Sequence, residues 1–198
     1  MRKFLGLFMA VSSCVPITQT YDSGSGSKTL QLGDRTYEAQ IKTVRLFAAN
    51  GDPLQELASP VVPMGQWNLL LEFDDLTNNR DSYYARVIHC NADWSKSTLS
   101  DLDFLLEYNE FPINSFEFSV DTHIPYVHYS LRLPPVKLPG NYVVVVYRGS
   151  NTEDIVLTRR FMVYQQRITF VREDNLVGSV GAALRNQQIN FTINYIFN

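Results

Sequence analysis

The chain has 198 residues, of which 45% are hydrophobic and 13% aromatic, and its formal net charge is −3. This composition supplies enough apolar side chains for a substantial core, and the aromatic content is typical of β-sheet proteins. The slightly acidic balance gives no electrostatic case for a nucleic-acid partner, because such binding requires a basic face. Lysines and arginines are scattered along the chain, which argues against a polybasic membrane-binding patch.

The chain begins with a pattern typical of an export signal. Arg2 and Lys3 precede the apolar run F-L-G-L-F-M-A-V, which is much shorter than the ~20 residues of a membrane-spanning helix. The ending V-S-S-C resembles a bacterial lipobox and predicts lipidation of Cys14. The alternative is an ordinary cleavable signal with a chance cysteine. No acidic residue follows until Asp22, which favours the periplasmic face of an outer membrane, with the lipid as the membrane contact.

The cysteine count and the next segment set the predicted organisation. If Cys14 is lipidated or removed, Cys90 is the one cysteine left, so no intrachain disulfide is possible. The stretch D-S-G-S-G-S-K at 22–28 has the composition of a flexible linker. We therefore predict a signal at 1–14, a linker at 15–37 and a β domain at 38–165.

Short β-type runs separated by turn signals follow the linker. The predicted strands are Ile41–Phe47, Trp67–Phe73, Tyr83–His89, Ser115–Val120, Val127–Leu133, Asn141–Tyr147 and Ile155–Tyr164. In two of these runs apolar and polar residues alternate, which places Val127, Tyr129, Leu131 and Leu133 on one face, and likewise Phe116, Phe118 and Val120. The run Y-V-V-V-V-Y predicts a central strand buried on both faces. Ser100 and Asp103 predict a capped start for one short helix.

About seven strands with closely spaced turns predict an immunoglobulin-like β-sandwich. In L-P-G-N-Y, Leu138 to Tyr142, a Pro-Gly turn precedes a tyrosine, which resembles the tyrosine corner of such sandwiches. A surface turn followed by a packing tyrosine is the alternative. Two further strand patterns, R-I-T-F-V-R and Q-I-N-F-T-I-N-Y-I, predict a second β domain over 166–198. It would be incomplete, because two strands do not make an independent sheet.

The stretch V-I-H-C-N-A-D-W, Val87 to Trp94, raises the question of a catalytic or metal site. A strand through Cys90 would send His89 and Cys90 to opposite faces, so they would not form a nucleophilic dyad with each other. His89 and Asp93, with His123, are candidate metal ligands, but no paired metal motif is present. The favoured interpretation is structural: Asn91 and Asp93 bond the backbone of a tight turn, and Trp94 covers the edge of the core.

Other polar and aromatic groups give weaker signals. Glu72, Asp74 and Asp75 end a strand, where solvated turn residues are more common than a cation site. A second group, the tyrosines, would either line a sugar-binding platform or form core and cross-strand pairs. They are Tyr83, Tyr84, Tyr126 and Tyr129. These residues indicate no enzyme and no cofactor.

Four blocks of the sequence resemble one family in order and in register: the N-terminal domain of the type IX secretion system plug protein. The blocks are I-H-C-N-A-D-W, F-E-F-S-V-D-T-H-I-P-Y-V-H-Y, L-P-G-N-Y-V-V-V-V-Y and L-T-R-R-F-M-V, and they lie between Ile41 and Val163. His89, Cys90, Asn91, Asp93 and Trp94 belong to the first block, which we call the signature turn. The resemblance implies a structural role for them in a family without known catalysis.

The resemblance also implies a function. Plug proteins occupy the periplasmic opening of the outer-membrane translocon barrel and close it while no receiving partner is bound. We therefore expect a non-enzymatic periplasmic component with the translocon barrel as its partner. Family members continue with further β domains, so the chain is expected to be truncated. The alternative function is a structural or glycan-binding β-sandwich lipoprotein associated with the outer membrane.

Overall fold

The structure is a computed structural model that describes residues 28–173 and 190–195. The strands within these residues are β1 (Arg35–Thr36), β2 (Ile41–Ala48), β3 (Val61–Pro63), β4 (Leu69–Asp75), β5 (Tyr83–Cys90), β6 (Phe111–Pro112), β7 (Ser115–Phe118), β8 (Val127–Arg132), β9 (Gly140–Arg148), β10 (Ile155–Tyr164), β11 (Ile168–Glu173) and β12 (Asn190–Tyr195). Two one-turn helices accompany them, α1 (Pro53–Glu56) and α2 (Asp101–Phe104). Among the described residues no helix has the length and apolarity needed to cross a membrane. The all-β class is confirmed.

Two mainly antiparallel sheets pack face to face. The larger sheet has the order β1-β10-β9-β5-β6, and β3 adds a short parallel pairing to β10. The smaller sheet has the order β2-β4-β8-β7. Apolar side chains from both sheets form one continuous core between them, because each strand sends alternate residues to that face. The predicted β-sandwich is confirmed.

Strand β9 lies at the centre of the larger sheet, between β10 and β5. All six residues of Y-V-V-V-V-Y are at most 1% exposed, as predicted. One face of β9 contributes to the core between the sheets. Its other face carries Val143 and Val145, which form a second apolar cluster with Leu30, Leu32 and Tyr37. The segment from Lys28 to Glu38, called here the N-terminal segment, therefore adds a third layer to the sandwich.

The open edge of β5 is closed by a side chain rather than by a continuous strand. Strand β6 pairs with β5 only at Tyr84 and Ala85. Beyond that point the Asn109 carboxamide donates to the Val87 carbonyl and accepts from the Val87 N–H, each at 2.8 Å. Asn109 thus satisfies both backbone groups, as a neighbouring peptide unit would. This arrangement leaves no free hydrogen-bonding groups at Val87 for pairing with another chain.

Several local predictions differ from the structure. Strands β1, β3 and β6 were not predicted, because two or three residues are too few for an alternating pattern to show. Strand β4 begins at Leu69 rather than Trp67, whose indole N–H instead donates to the Leu133 carbonyl at 2.5 Å. Strand β7 ends at Phe118, and Val120 is 78% exposed. The strand stops there because the chain turns at Asp121, which has a φ of 54°.

The predicted helix is present but forms a single turn. The Ser100 N–H donates to the Asp103 carboxylate at 2.7 Å, which matches the predicted pairing at the helix start. After Phe104 the chain becomes extended, and Leu105 forms a bridge with Val136. Phe104 and Leu105 are both at most 1% exposed. Burying Leu105 in extended form outweighs helical continuation.

The last two strands form a separate antiparallel pair. Ile168, Phe170 and Ile193 share one face of this hairpin by register, and each is about half exposed or more. The predicted strands after the sandwich are therefore present. The predicted signal, Cys14 and most of the linker lie outside the described residues.

Tyr142 occupies the position predicted for a tyrosine corner. Its hydroxyl donates to the Leu138 carbonyl at 2.7 Å, and its ring stacks on Phe161 at 5.2 Å between centroids. Burial raises the pKa of the Tyr142 hydroxyl, so the group remains a neutral donor. The hydrogen bond links the turn before β9 to the strand itself.

Removing this hydroxyl tests its contribution to stability. The substitution Tyr142→Phe keeps the ring but leaves the Leu138 carbonyl without its donor, so we expect a loss of about 1–3 kcal/mol in the free energy of unfolding. Urea denaturation measures this loss. Tyr108→Phe is the matched control, because Tyr108 is 80% exposed and its change should stay within about 0.5 kcal/mol. Equal effects of the two substitutions would contradict the assignment.

Candidate functional site

The signature turn follows the end of β5, and the chain then returns so that Lys96 forms an antiparallel bridge with Cys90. The structure places His89 and Cys90 on opposite faces of the larger sheet. His89 contacts Tyr142 and Phe104 on the core side, with ring centroids 5.0 and 5.8 Å apart. Cys90 belongs to the apolar cluster on the outer side. The two side chains therefore do not form a catalytic pair.

His89 has a packed structural setting. Its Nδ1 lies 2.8 Å from the Ser97 hydroxyl, and burial lowers the pKa of the imidazole, which favours the neutral ring. A Cβ atom added at Gly140 would lie 2.6 Å from His89 Nε2. A side chain at Gly140 would therefore displace the His89 ring from its packed position between two strands.

Cys90 lacks the properties of a nucleophile. The side chain is 2% exposed, and burial raises the pKa of the thiol. A reactive cysteine needs the opposite conditions, namely a lowered pKa and access to solvent. Cys90 instead fills the outer cluster beside Val143 and Ile155.

The remaining signature residues hold the turn by local hydrogen bonds. The Asp93 carboxylate accepts from the Ser95 N–H at 2.9 Å and from the Ser95 hydroxyl at 2.6 Å. The Asn91 carbonyl accepts from the Asn141 carboxamide at 3.1 Å, which ties the turn to β9. Trp94 has a φ of 66°, an uncommon value for a bulky residue. This conformation directs the indole onto the outer cluster.

The described residues contain no group of three histidine, cysteine, aspartate or glutamate side chains that could hold a metal ion. His89 and Asp93 are committed to separate serine partners. Within the described residues, His128 Nδ1 lies 2.7 Å from the Asp74 carboxylate. A single pair does not make a metal centre.

A buried ion cluster was missed by the sequence analysis. Arg148 contacts Glu38 at 2.5 Å, Asp154 at 3.0 Å and Asp81 at 3.0 Å. Lys28 contacts Glu38 at 2.5 Å and Asp154 at 2.7 Å. The Glu38 and Asp154 side chains are only 2% and 3% exposed. The cluster fastens the N-terminal segment to the β9–β10 hairpin, and no spacing in the sequence indicates contacts between residues so far apart.

Asp75 is also buried, which corrects the expectation of a solvated turn residue. It is 0% exposed, because it is the last residue of β4 and its side chain lies on the core-facing side of that strand. One carboxylate oxygen accepts from the Tyr83 hydroxyl at 2.7 Å, and the other has no hydrogen-bond partner. Burial raises the pKa of Asp75, against the opposing effect of the Tyr83 hydrogen bond.

Tyr83, Tyr84 and Tyr129 pack against other aromatic rings, while Tyr126 is half-buried. Tyr83 and Tyr129 are at most 1% exposed, and both contact Phe73 at 5.4 and 5.1 Å between ring centroids. Tyr84 stacks on Tyr147 at 6.0 Å. The interpretation as core and cross-strand pairs therefore fits the structure.

Together these features define a class: a β-sandwich module whose distinctive residues serve packing, turns and ion pairing. The family model described as "Type 9 secretion system plug protein 1st domain" matches residues 41–165. The chain belongs to this family of type IX secretion system plug domains. The signature turn lies inside the matched region.

A solved structure supports the fold. It is described as the crystal structure of a hypothetical protein from Parabacteroides merdae ATCC 43184. The two chains are 26% identical, and the TM-score is 0.67. The match covers 84% of this chain and 42% of that chain, so the present chain spans less than half of its length. No curated protein matches the chain.

The ion cluster predicts a large effect from one substitution. Arg148→Met would leave Lys28 to neutralise both buried carboxylates, Glu38 and Asp154, at a cost of about 3 kcal/mol, the lower end of the range for a broken buried ion pair. Arg45→Met is the matched control, because the Arg45–Glu72 pair at 2.6 Å involves an arginine that is 44% exposed. Surface pairs contribute about 0–1 kcal/mol. Urea denaturation of both variants compares the two costs, and similar losses would contradict a central role for Arg148.

Asp75 predicts a pH dependence. Because its folded pKa is raised, the folded state holds the proton more tightly than the unfolded state. Its contribution to stability is therefore complete below the ordinary pKa of 3.8 and is lost as pH rises through the raised folded pKa. The substitution Asp75→Asn should remove this loss, so the stability of the variant relative to wild type should increase with pH. Denaturation at a series of pH values measures that difference, and a constant difference would contradict the prediction.

Proposed function

We propose that the chain is a non-enzymatic periplasmic component of the type IX secretion system that docks on the outer-membrane translocon and helps to close its periplasmic opening. Membership of the plug family carries the proposal. The same proposal includes export by the leader at 1–14 and lipidation of Cys14. It takes the whole-protein role from the family and the local roles from the residues described above.

The physical basis is that a stopper for a wide aqueous channel must be rigid. Both faces of the larger sheet are covered, one by the smaller sheet and one by the N-terminal segment. At the edge of β5, the Asn109 carboxamide pairs the backbone N–H and carbonyl of Val87. A domain closed in this way resists local opening and pairing with passing extended chains.

Co-purification from the native host tests the docking. A tagged copy of the full chain should retain the translocon barrel after mild detergent extraction. The control is a tagged, unrelated periplasmic β-sandwich of similar size. Absence of the barrel from the tagged sample, with the control equally clean, would contradict the proposal.

Closure requires a separate measurement. Deletion of the gene should raise the entry of a large hydrophilic antibiotic that the outer membrane normally excludes, and the intact gene should restore exclusion. If the barrel co-purifies but entry is unchanged, the chain docks without sealing.

The glycan-binding alternative has no support in the described residues. Exposed Tyr83, Tyr126 and Tyr129 would have favoured it, yet the first and last of these are buried in the core. Retention of the chain on a polysaccharide column would be the result that reopens it.

A further inference from the structure

The two sheets of the sandwich differ at their edges. In the larger sheet, the Asn109 carboxamide pairs the Val87 backbone at the edge of β5. In the smaller sheet, β7 is the last strand and pairs with β8 alone. Strand β7 contains no proline and no lysine, the residues that commonly protect an exposed edge. The free side of β7 is therefore an open sheet edge.

The backbone of β7 presents hydrogen-bonding groups on this free side. The Ser119 N–H donates to the Tyr126 carbonyl at 2.9 Å, and bonded pairs alternate with non-bonded pairs along an antiparallel ladder. Phe116 and Phe118 therefore take the non-bonded positions, and their N–H and carbonyl groups point away from β8. Within the described residues these groups have no hydrogen-bond partner.

The hairpin tip that follows β7 fixes the edge in its extended form. The Ser119 hydroxyl accepts from the Tyr126 N–H at 2.9 Å, and it lies 3.0 Å from the Thr122 hydroxyl. An edge that is already extended loses little conformational entropy when a further strand pairs with it.

The core-facing side of β7 offers an apolar surface to a partner strand. The centroids of the Phe116 and Phe118 rings lie 5.7 Å apart on this side. The Arg80 guanidinium covers the Phe116 ring at 4.3 Å from its centre, whereas Phe118 is 54% exposed. A partner side chain beside Phe118 is therefore expected to be apolar.

The outer face of β7 carries a carboxylate without a cation. Glu117 is exposed and directly opposite His128, whose Nδ1 lies 2.7 Å from the Asp74 carboxylate. Lys42 on β2 belongs to the same row, but it is three strands from β7, about 14 Å away at the usual strand spacing. Arg80 lies on the other face. A basic residue on the partner strand would complement Glu117.

We propose that the free edge of β7 binds an extended segment of a partner protein in which a basic residue stands between two apolar residues. Its backbone pairs with the N–H and carbonyl groups of Phe116 and Phe118, and so adds a fifth strand to the smaller sheet. Because neighbouring residues of a strand point to opposite faces, the basic residue faces Glu117 and the apolar residues lie on the Phe118 side. Strand addition at β7 does not depend on docking on the translocon, which co-purification measures separately.

Peptide binding to the full chain tests the proposal. The probe is the peptide T-V-K-V-T with both termini blocked, whose symmetric order of side chains suits either strand direction. The comparison peptide is T-V-E-V-T. We expect T-V-K-V-T to bind more tightly and to shift the NMR amide signals of Phe116 and Phe118 most strongly. Equal binding of the two peptides, or shifts centred elsewhere, would overturn the proposal.

Two substitutions at one position isolate the backbone contribution. Phe118→Pro removes the outward N–H, which β8 does not use, and proline is tolerated at such edge positions. Phe118→Ala is the matched control, because it removes the same ring but keeps the N–H. We expect Phe118→Pro to bind T-V-K-V-T about tenfold more weakly than Phe118→Ala, since the peptide carbonyl loses its donor. Equal affinities of the two variants would contradict strand addition.

A charge exchange tests the basic residue separately. Glu117→Lys should weaken the binding of T-V-K-V-T and strengthen that of T-V-E-V-T, each about fivefold, the factor for roughly 1 kcal/mol from a cross-strand charge pair. Glu107→Lys makes the same charge change at another exposed position and should alter neither affinity. Because Glu117 is exposed, its result stands even if Phe118→Pro disrupts the hairpin. Equal responses at positions 117 and 107 would overturn the assignment.

A second copy of the chain is the other possible occupant of this edge. Two copies paired through β7, with Phe116 opposite Phe118, would place Glu117 opposite Glu117, and like charges directly opposite each other destabilise a sheet. Light scattering should therefore show no dimer that depends on this edge. A dimer that Phe118→Pro dissociates would overturn the proposal, because the edge would then pair with a second copy.

Discussion

The buried ion cluster around Arg148 holds the N-terminal segment on the larger sheet. Charges removed from water are tolerated only when their partners are close and well directed, and Arg148 meets this condition with Glu38 and Asp154 at once. Because Glu38 belongs to the N-terminal segment, the ion pairs keep that segment on the sheet. Without it Val143 and Val145 would lie open to water, and the central strand would be covered on one face only.

The signature turn depends on the same outer layer. Trp94 reaches the cluster beneath the N-terminal segment, and its turn is tied to β9 by the hydrogen bond from Asn141 to Asn91. On the core side, the His89 ring occupies the space that a side chain at position 140 would fill. The motif contains residue types common in catalytic and metal sites, but in the fold it connects β5 to β9 and packs against the N-terminal segment. Chemistry-bearing residue types gather there because short polar side chains suit tight turns.

The sequence predicted the features that depend on local pattern. Alternation located the main strands to within a few residues, and the run of valines identified the doubly buried strand. It did not predict Asp75 as a core residue, because a carboxylate at a strand end is usually solvated and only the pairing with Tyr83 explains it. The Arg148 cluster could not be predicted from the sequence for a related reason. Its members come from distant segments, and only the register of the sheet brings them into contact.

Arginine shows most clearly what position in the fold adds to composition. The basic residues are scattered along the chain, and the fold gives them different surroundings. Arg148 is neutralised by three carboxylates and has a structural role. Arg35 and Arg160 are held by carbonyl oxygens and aromatic rings, contacts that fix a guanidinium without cancelling its charge. The same residue type therefore forms buried ion pairs in one place and holds the N-terminal segment through neutral oxygens in another.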